Sequence, residues 1–364
     1  MAPIYTVMLR DKDGVLQSVS QDYLDLAISR TVNAPDIAAL VYDSNSLSVQ
    51  YLIQGSIIEV YREDKEAGIA STQEFAGFIR KITRTINDRT TYEVTCIGMV
   101  GILATRIVAW KANRVNRSKF NAQPAETIMR NLIVYNLGSL ATVAQGRLQD
   151  GVWTNTTMAA SAGTGTVMSV SFAYQNLLEA VQKVSEDGGG DFTVTYTAPF
   201  SYVAVWRLGQ LGTNRTATVR LSVPLGTIGE LIVDDDRIED FTAVYVGGQG
   251  EGNARRVATR PSGWVYDKLL REYFVDARNL KKGTLARLRQ LGQITLNRQA
   301  RKRVTYTATL LQNAALRYGR DYFLGDLVTI LDGTTAITQK VQGVDLAFTA
   351  DGKESVDVTL ANNA

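Results

Sequence analysis

The sequence predicts an α+β chain that is mainly β: a strand-rich first part, a middle part with two helices, and a strand-rich last part with one helix. Three observations carry this. Residues 4 to about 102 alternate apolar and polar positions in short runs. Residues 106–232 contain two segments with apolar residues at helical spacing. After 233 alternation returns and ends on an Asp-Gly hairpin. At 364 residues the chain is long enough for two or three domains, and the changes of character place three, at 1–105, 106–232 and 233–364. Apolar residues at 45% and charged residues at 21% match the globular average, so the chain is expected to fold.

In the first part IYTVML, GSIIEVY, the long EFAGFIRKITRTI and TYEVTCIG read as strands, with Asp13-Gly14 and Asn87-Asp88 as turns. A small barrel is the expected product, and Gly77 inside the long strand is a candidate bulge or bend. Tyr92, Val94 and Cys96 share one strand face, which makes the single cysteine a core thiol and excludes an intrachain disulfide.

The middle part opens with RIVAWKANRVNRSKF, five basic residues and no acid. Pro124 then starts a helix with Ile128, Met129, Leu132 and Ile133 on one side, stopped by Gly138. Residues 139–170, rich in Ser, Thr, Ala and Gly, give no clear period and read as an extended loop or irregular strands. Leu177, Leu178, Val181 and Val184 form the stripe of a second helix, capped at Gly188-Gly189-Gly190 before a strand through Phe192, Val194 and Tyr196. YVAVWRLG and ATVRLSV complete this part. In the last part a helix is expected over Asp276–Arg301, with Leu285, Leu288, Leu291 and Thr295 inward, followed by strands from Val304. VQGVDLAFT and ESVDVTLA flank the closing turn Ala350-Asp351-Gly352-Lys353.

The absence of histidine removes Ser-His-Asp and Cys-His nucleophile systems and histidine-ligated metals. A net charge of +3 does not imply nucleic-acid binding. No apolar run reaches the roughly 18 residues of a membrane span, and the start lacks signal-peptide character. The sequons at Asn116, Asn155 and Asn214 therefore carry no expected glycan.

The stretch FTAVYVGGQGEGNARRVATR, residues 241–260, reads two ways: a phosphate cradle or a hairpin. Gly247, Gly248, Gly250 and Gly252 lack the Lys-Ser/Thr of a Walker loop and the following helix of a dinucleotide site, and Glu251 would repel phosphate. The hairpin is favoured. VGGQGEGNARRV, followed by REYFVDARNL, ARLRQLGQITLNRQ and YGRDYFLGDLVTI, resembles the tail hub (baseplate hub) proteins of tailed bacteriophages, siphophage type. NLLEAVQKVSEDGGGDFTVTY and QPAETIMRNLIVYNLG resemble the inserted middle domain of those hubs, and EFAGFIRKITRTI a strand of their first barrel.

The resemblance implies two tube-forming β-barrel domains flanking an inserted α/β domain. It implies a virion protein at the tail tip, assembled in the host cytoplasm, whose homotrimeric ring joins the sixfold tube to the threefold tip. The ring would meet the distal tail protein, the tape measure protein and tail tip or fibre proteins, and DNA would pass transiently through its channel. No cofactor, metal or catalysis is implied, and adhesion and lysis would sit on other chains, since this one stops at Ala364. The alternatives are a hexameric distal tail or tail tube ring, or a tail-associated wall hydrolase.

A hydrolase would use paired carboxylates. Asp234, Asp235, Asp236, Glu239 and Asp240 are candidates, but an acidic run is usually a solvated or partner-facing surface, and it lacks the ligand pattern of an EF-hand. Asp321 and Asp326 flanking Gly325 read as a turn, with Gly325 in a turn conformation and Asp326 bonded to the local backbone. Trp110, Trp153, Trp206 and Trp264 are too scattered to suggest a carbohydrate platform. Residues 277–320 hold Arg278, Lys281, Lys282, Arg287, Arg289, Arg298, Arg301, Lys302, Arg303, Arg317 and Arg320 without an acid. The segments Glu59–Glu66 and Glu230–Asp240 are the expected balance. A DNA-contacting surface is one reading. The favoured one is a subunit interface of Arg298, Arg301, Lys302 and Arg303 meeting Asp234, Asp235 and Asp236 on a neighbour.

Overall fold

The computed structural model describes residues 3–109, 118–198, 200–238, 241–260, 271–278, 280, 284–302, 304–311, 316–349 and 352–361. Trp110, Asn116, Glu239, Asp240, Trp264, Lys281, Lys282, Arg303, Ala350 and Asp351, all named above, lie outside the described residues. Two compact units are present: Met1–Leu231 with Ala308–Thr359, and Ile232–Thr307 with Leu360–Ala364.

The first unit begins with seven strands, β1 Ile4–Arg10, β2 Leu16–Ser20, β3 Tyr23–Thr31, β4 Ile37–Asp43, β5 Ile57–Asp64, β6 Ile69–Thr85 and β7 Thr91–Gly98. Alternation drives them: Tyr5, Val7 and Leu9 of β1 and Ala38, Leu40 and Tyr42 of β4 are buried while their neighbours face outward. Cys96 is fully buried, and desolvation pushes its thiol well above the usual range. Gly77 is required by close approach, since a Cβ there would stand 2.5 Å from the Ile97 carbonyl oxygen and 2.5 Å from Phe75 Cζ. The bulge itself lies two residues on, between Ile79 and Lys81, where β6 leaves β5 and pairs only with β7.

The middle elements are α1 Gly101–Ala104, β8 Ser118–Pro124, α2 Ala125–Asn136, β9 Thr156–Met158, β10 Val167–Phe172, α3 Leu177–Gly188, β11 Gly190–Thr197, β12 Ser201–Leu208 and β13 Arg220–Leu221. Both helices fall where the apolar stripes place them. Ile128, Met129, Leu132 and Ile133 of α2 share one core with Leu177, Leu178, Val181 and Val184 of α3, and this core also takes in Ile57, Phe78 and Met99 from the first strands. Asn176 caps α3 by accepting from the Leu178 N–H at 2.9 Å, and Gly189, at φ 71°, ends it.

Residues 139–170, without a clear period in sequence, are held from outside. β9 adds in parallel to β12 and β10 pairs antiparallel with β8. The buried Glu126 carboxylate accepts from the backbone N–H of Ala162 at 3.1 Å and of Thr164 at 2.8 Å. Burial pushes the Glu126 pKa up, but these amide donors outweigh it and the net shift is downward. A depressed folded-state carboxyl stabilises the protein above its unfolded value of about 4.3, and that contribution fades as pH falls through the folded value. Melting temperature is therefore expected to drop below about pH 4.5 less steeply in Glu126→Gln, which starts lower at pH 7. Parallel melting curves of the two proteins across pH 3–7 would refute the assignment.

The strands that follow are β14 Ile228–Asp235, β15 Ala243–Gly247, β16 Val257–Arg260 and β17 Glu272–Asp276. After them come α4 Leu285–Lys302, β18 Val304–Leu310, β19 Leu327–Asp332, β20 Thr335–Thr349 and β21 Glu354–Ala361. The largest sheet runs β2-β1-β5-β6-β7-β4-β3-β20-β21-β18-β14, with β19 on β20 and β13 on β19.

Two closed barrels are therefore not what forms. The terminal strands β2 and β14 do not pair with each other among the described residues, and the sheet stays open. The physical reason is β20: its residues Gly343–Thr349 pair with Thr31–Asp25 of β3, so the C-terminal hairpin extends the first sheet. Residues 233–364 are accordingly shared between the two units. The turn of that hairpin shows Gly352 at φ 81°, its N–H donating to the Thr349 carbonyl at 2.9 Å.

In the second unit β15 lies between antiparallel β16 and parallel β17, and Val244, Val246, Ala258 and Leu288 of α4 form its core. The helix begins at Leu285, nine residues later than the predicted Asp276. Asp276 instead ends β17 and accepts from the Arg278 N–H at 3.1 Å, a local turn that competes with helix. Leu285 is exposed, so the buried stripe starts at Leu288.

Candidate functional site

The residues singled out by sequence fall into three places. The glycine stretch is in the second unit and is a hairpin: Val244↔Arg260 through Gly247↔Val257 are paired across it, and the Gly248 N–H donates to the Arg256 carbonyl at 2.8 Å. Gly250, at φ 105°, takes a backbone conformation that other residues rarely adopt. Gly247 leaves room for the Arg255 guanidinium, whose Nη2 would be 2.7 Å from a Cβ there.

Arg255 decides what the loop can do. Its Nε donates to the Gly248 carbonyl at 3.1 Å, its Nη2 to the Gly247 carbonyl at 3.3 Å and to Asp276 Oδ1 at 2.9 Å, and its Cζ lies 5.1 Å from the Phe274 ring centroid. The loop thus turns carbonyls, not amides, toward its cation, the opposite polarity from a phosphate cradle. Hydrogen bonds from the Arg278 side chain and backbone, with both arginines' charge, hold Asp276 below the usual carboxylate range.

Gly325 and Asp326 lie in the first unit. Gly325, at φ 86°, turns the chain so that its N–H donates to the Val341 carbonyl at 2.8 Å. Asp326 is buried, and its carboxylate accepts from the Thr213 N–H at 2.5 Å, the Phe323 N–H at 2.9 Å and Arg215 Nε at 2.7 Å. Arg215 also covers the Phe323 ring at 5.3 Å. Asp326 therefore fastens 213–215 to the 323–326 turn, with both oxygens occupied. Asp321 accepts from the Arg317 N–H at 2.7 Å and faces Arg320, so the two acids serve separate turns.

Asp234, Asp235 and Asp236 are exposed at the end of β14 and just after it. Arg237 donates to both oxygens of Asp235, at 2.7 and 3.0 Å, and Asp236 accepts from the Ile238 N–H at 2.8 Å. Among the described residues no group of three or more Asp, Glu or Cys gathers as a metal site.

The long basic run is divided between the two units. Arg317 and Arg320 belong to the first unit and face Asp64 and Asp321, whereas Arg278, Arg287, Arg289 and Arg298 belong to the second. The Glu59–Glu66 segment is largely satisfied within the first unit, Glu59 by Arg10 at 2.5 Å and Asp64 by Arg317 at 3.4 Å. Arg301 and Lys302 are on the last turn of α4.

Sequence reasoning missed the ion pairs inside the first unit: Arg62 with Glu354, and Arg30 with Glu74, whose carboxylate also accepts from the Tyr318 hydroxyl at 3.2 Å. Their partners lie up to 292 positions apart, and only the pairing of β20 with β3 brings the two ends of the chain into one sheet.

The open sheet with its helical insert can be compared with known families. A family model for the Siphovirus ReqiPepy6 Gp37-like protein matches residues 6–360. The chain belongs to this family. No curated protein matches. Among solved structures, this Gp37-like chain is similar in fold to the tail protein from Neisseria meningitidis MC58, with TM-score 0.63, 12% identity and coverage of 99% of this chain and 97% of that one. It is also similar to the 43 kDa tail protein of prophage MuSo2 from Shewanella oneidensis, with TM-score 0.63, 10% identity and 98% of both chains covered. Prophage tail protein gp18 from Listeria monocytogenes EGD-e gives TM-score 0.58, 11% identity and coverage of 98% and 94%. The Gp37-like chain therefore has a phage tail-protein fold. No helix among the described residues is long and apolar enough to cross a membrane.

Proposed function

We propose that this Gp37-like chain is a structural virion protein, the hub that joins the sixfold tail tube to the threefold tip as a trimeric ring around the channel for genome ejection. The observation that carries the reading is a likeness of fold over nearly the whole length of both chains, to tail proteins, in a member of a siphovirus family. The strand-rich stretches before and after the insert are the tube-forming parts, and the distal tail, tape measure and tip or fibre proteins are the neighbours. A non-enzymatic role agrees with the acids: Asp235 and Asp326 are both engaged by arginine, and Asp326 is buried under three donors. The basic residues Arg298, Arg301, Lys302 and Arg303 and the acids Asp234, Asp235 and Asp236 remain the charged surfaces proposed to guide association and register.

Electron microscopy of assembled tails tests this by copy number. Three copies in one ring at the tail tip are expected. Six copies per ring would make the chain a distal tail or tail tube protein instead.

A further inference from the structure

Among the described residues of the first unit one lysine–carboxylate pair is buried. Lys340 of β20 places its Nζ 3.0 Å from Oδ1 and 3.1 Å from Oδ2 of Asp191, the second residue of β11, and both residues are buried. Contact with both oxygens sets the nitrogen beside the carbon they share. Asn33, in the turn from β3 to β4, donates from Nδ2 to Asp191 Oδ1 at 2.8 Å, and the Leu211 N–H donates to Oδ2 at 3.3 Å. Asn33 is itself fixed: at φ 63°, its Oδ1 accepts from the Phe192 N–H at 2.7 Å and its backbone carbonyl from Gln182 Nε2 at 2.9 Å. Its amide nitrogen is thereby pinned on the carboxyl group. The other lysine–carboxylate pairs among the described residues, Lys65 with Glu63 and Lys183 with Asp187, keep the lysine in solvent.

We propose that Lys340 and Asp191 join as an amide, an internal cross-link between β20 and β11. Passing one Nζ proton to Oδ2 leaves a neutral amine against a neutral acid and removes two desolvated charges together. The nitrogen lone pair then attacks Cγ, and the negative charge that develops on Oδ1 is met by the Asn33 amide in the manner of an oxyanion donor. A second Nζ proton passes to Oδ2, the Cγ–Oδ2 bond breaks, and one water leaves. One hydrogen stays on the nitrogen and Oδ1 becomes the amide carbonyl, so the step balances without an oxidant or co-reactant. Groups held in this way reach effective concentrations on the order of 10⁵ M, and the released water leaves a buried site where little returns to reverse the step. Arg62 with Glu354 is also buried but cannot follow, because a guanidinium does not give up its proton. The bond spans 149 positions and ties the C-terminal hairpin to the helical insert, a constraint that persists in the unfolded chain.

Intact-mass spectrometry of the full chain, folded and incubated and then denatured, tests the bond. The parent protein is expected to fall short of its sequence mass by one water, and a protease digest to contain a branched peptide joining the β11 and β20 fragments. Lys340→Arg keeps the charge but forms no amide, so its mass should be complete. That variant also separates the bond from a succinimide at Asp13-Gly14 or another Asp-Gly step, which loses the same water without Lys340. A parent that stays at full mass after days of incubation would overturn the proposal, as would a deficit that survives Lys340→Arg. Loss of ammonia in place of water would make Asn33 the acyl donor and overturn the assignment to Asp191. The parent mass and its branched peptide decide the matter even where the variant folds poorly.

Discussion

Glu354→Gln is expected to cost the first unit about 3–5 kcal/mol of stability, the range for removing one partner of a buried ion pair. Arg62 Nε and Nη2 donate to the two Glu354 oxygens at 2.7 and 2.9 Å, and the side chains are 3% and 6% exposed. The Tyr5 hydroxyl gives the same carboxylate a third hydrogen bond, at 2.5 Å. With Glu354 neutral, the Arg62 guanidinium keeps its charge, because nothing near neutral pH deprotonates it. What remains is the carboxamide oxygen of the substituted side chain, the Tyr318 carbonyl at 3.4 Å and the field of Glu74, which place the loss toward the lower end of the range. The double variant Arg62→Met with Glu354→Leu should lose less than the single one, since it removes both desolvated charges together. Urea midpoints for the three proteins decide the matter. A single-variant loss below about 1 kcal/mol would mean that Glu74 alone compensates Arg62.

That pair also explains how much of the molecule was legible in sequence. Local rules worked wherever one element's own residues decide its form. The α2 and α3 stripes, the Gly189 cap, the β1 and β7 alternation and the glycine hairpin each depend on contacts a few residues away or on a single conformational requirement. Long-range partners were not legible. Nothing in ESVDVTLA says that Glu354 must meet Arg62, and nothing in VQGVDLAFT says that it will pair with β3 rather than close a barrel of its own. The 139–170 stretch has no period because its order comes from Glu126 and from strands on either side. The late start of α4 was hidden for a different reason: the segment expected to be helical from Asp276 opens on a turn in which that carboxylate is used by Arg278 and Arg255. At the candidate site the glycines were legible as backbone requirements. The arginines anchored at these turns, Arg255 and Arg215, were not, because a solvated arginine and an anchored one look alike in sequence.

Asp326→Ala carries the second large effect, an expected loss of about 3 kcal/mol or more, because it strands three donors at once. An unsatisfied buried donor costs roughly 1–3 kcal/mol, and more when it is charged. The Thr213 and Phe323 amides lose their acceptor, and Arg215 Nε loses its counterion while its guanidinium remains over Phe323. Asp326→Asn should fall between parent and alanine: its carbonyl oxygen can keep one set of donors, but its amide NH2 must face another donor. The ordering parent, Asn, Ala in thermal and urea unfolding is therefore the signature of a fastening carboxylate. A catalytic carboxylate gives a different signature. If the parent protein hydrolysed peptidoglycan, and Asp326→Asn abolished turnover while leaving the melting temperature unchanged, the structural assignment of this acid would fail and the hydrolase reading would replace it.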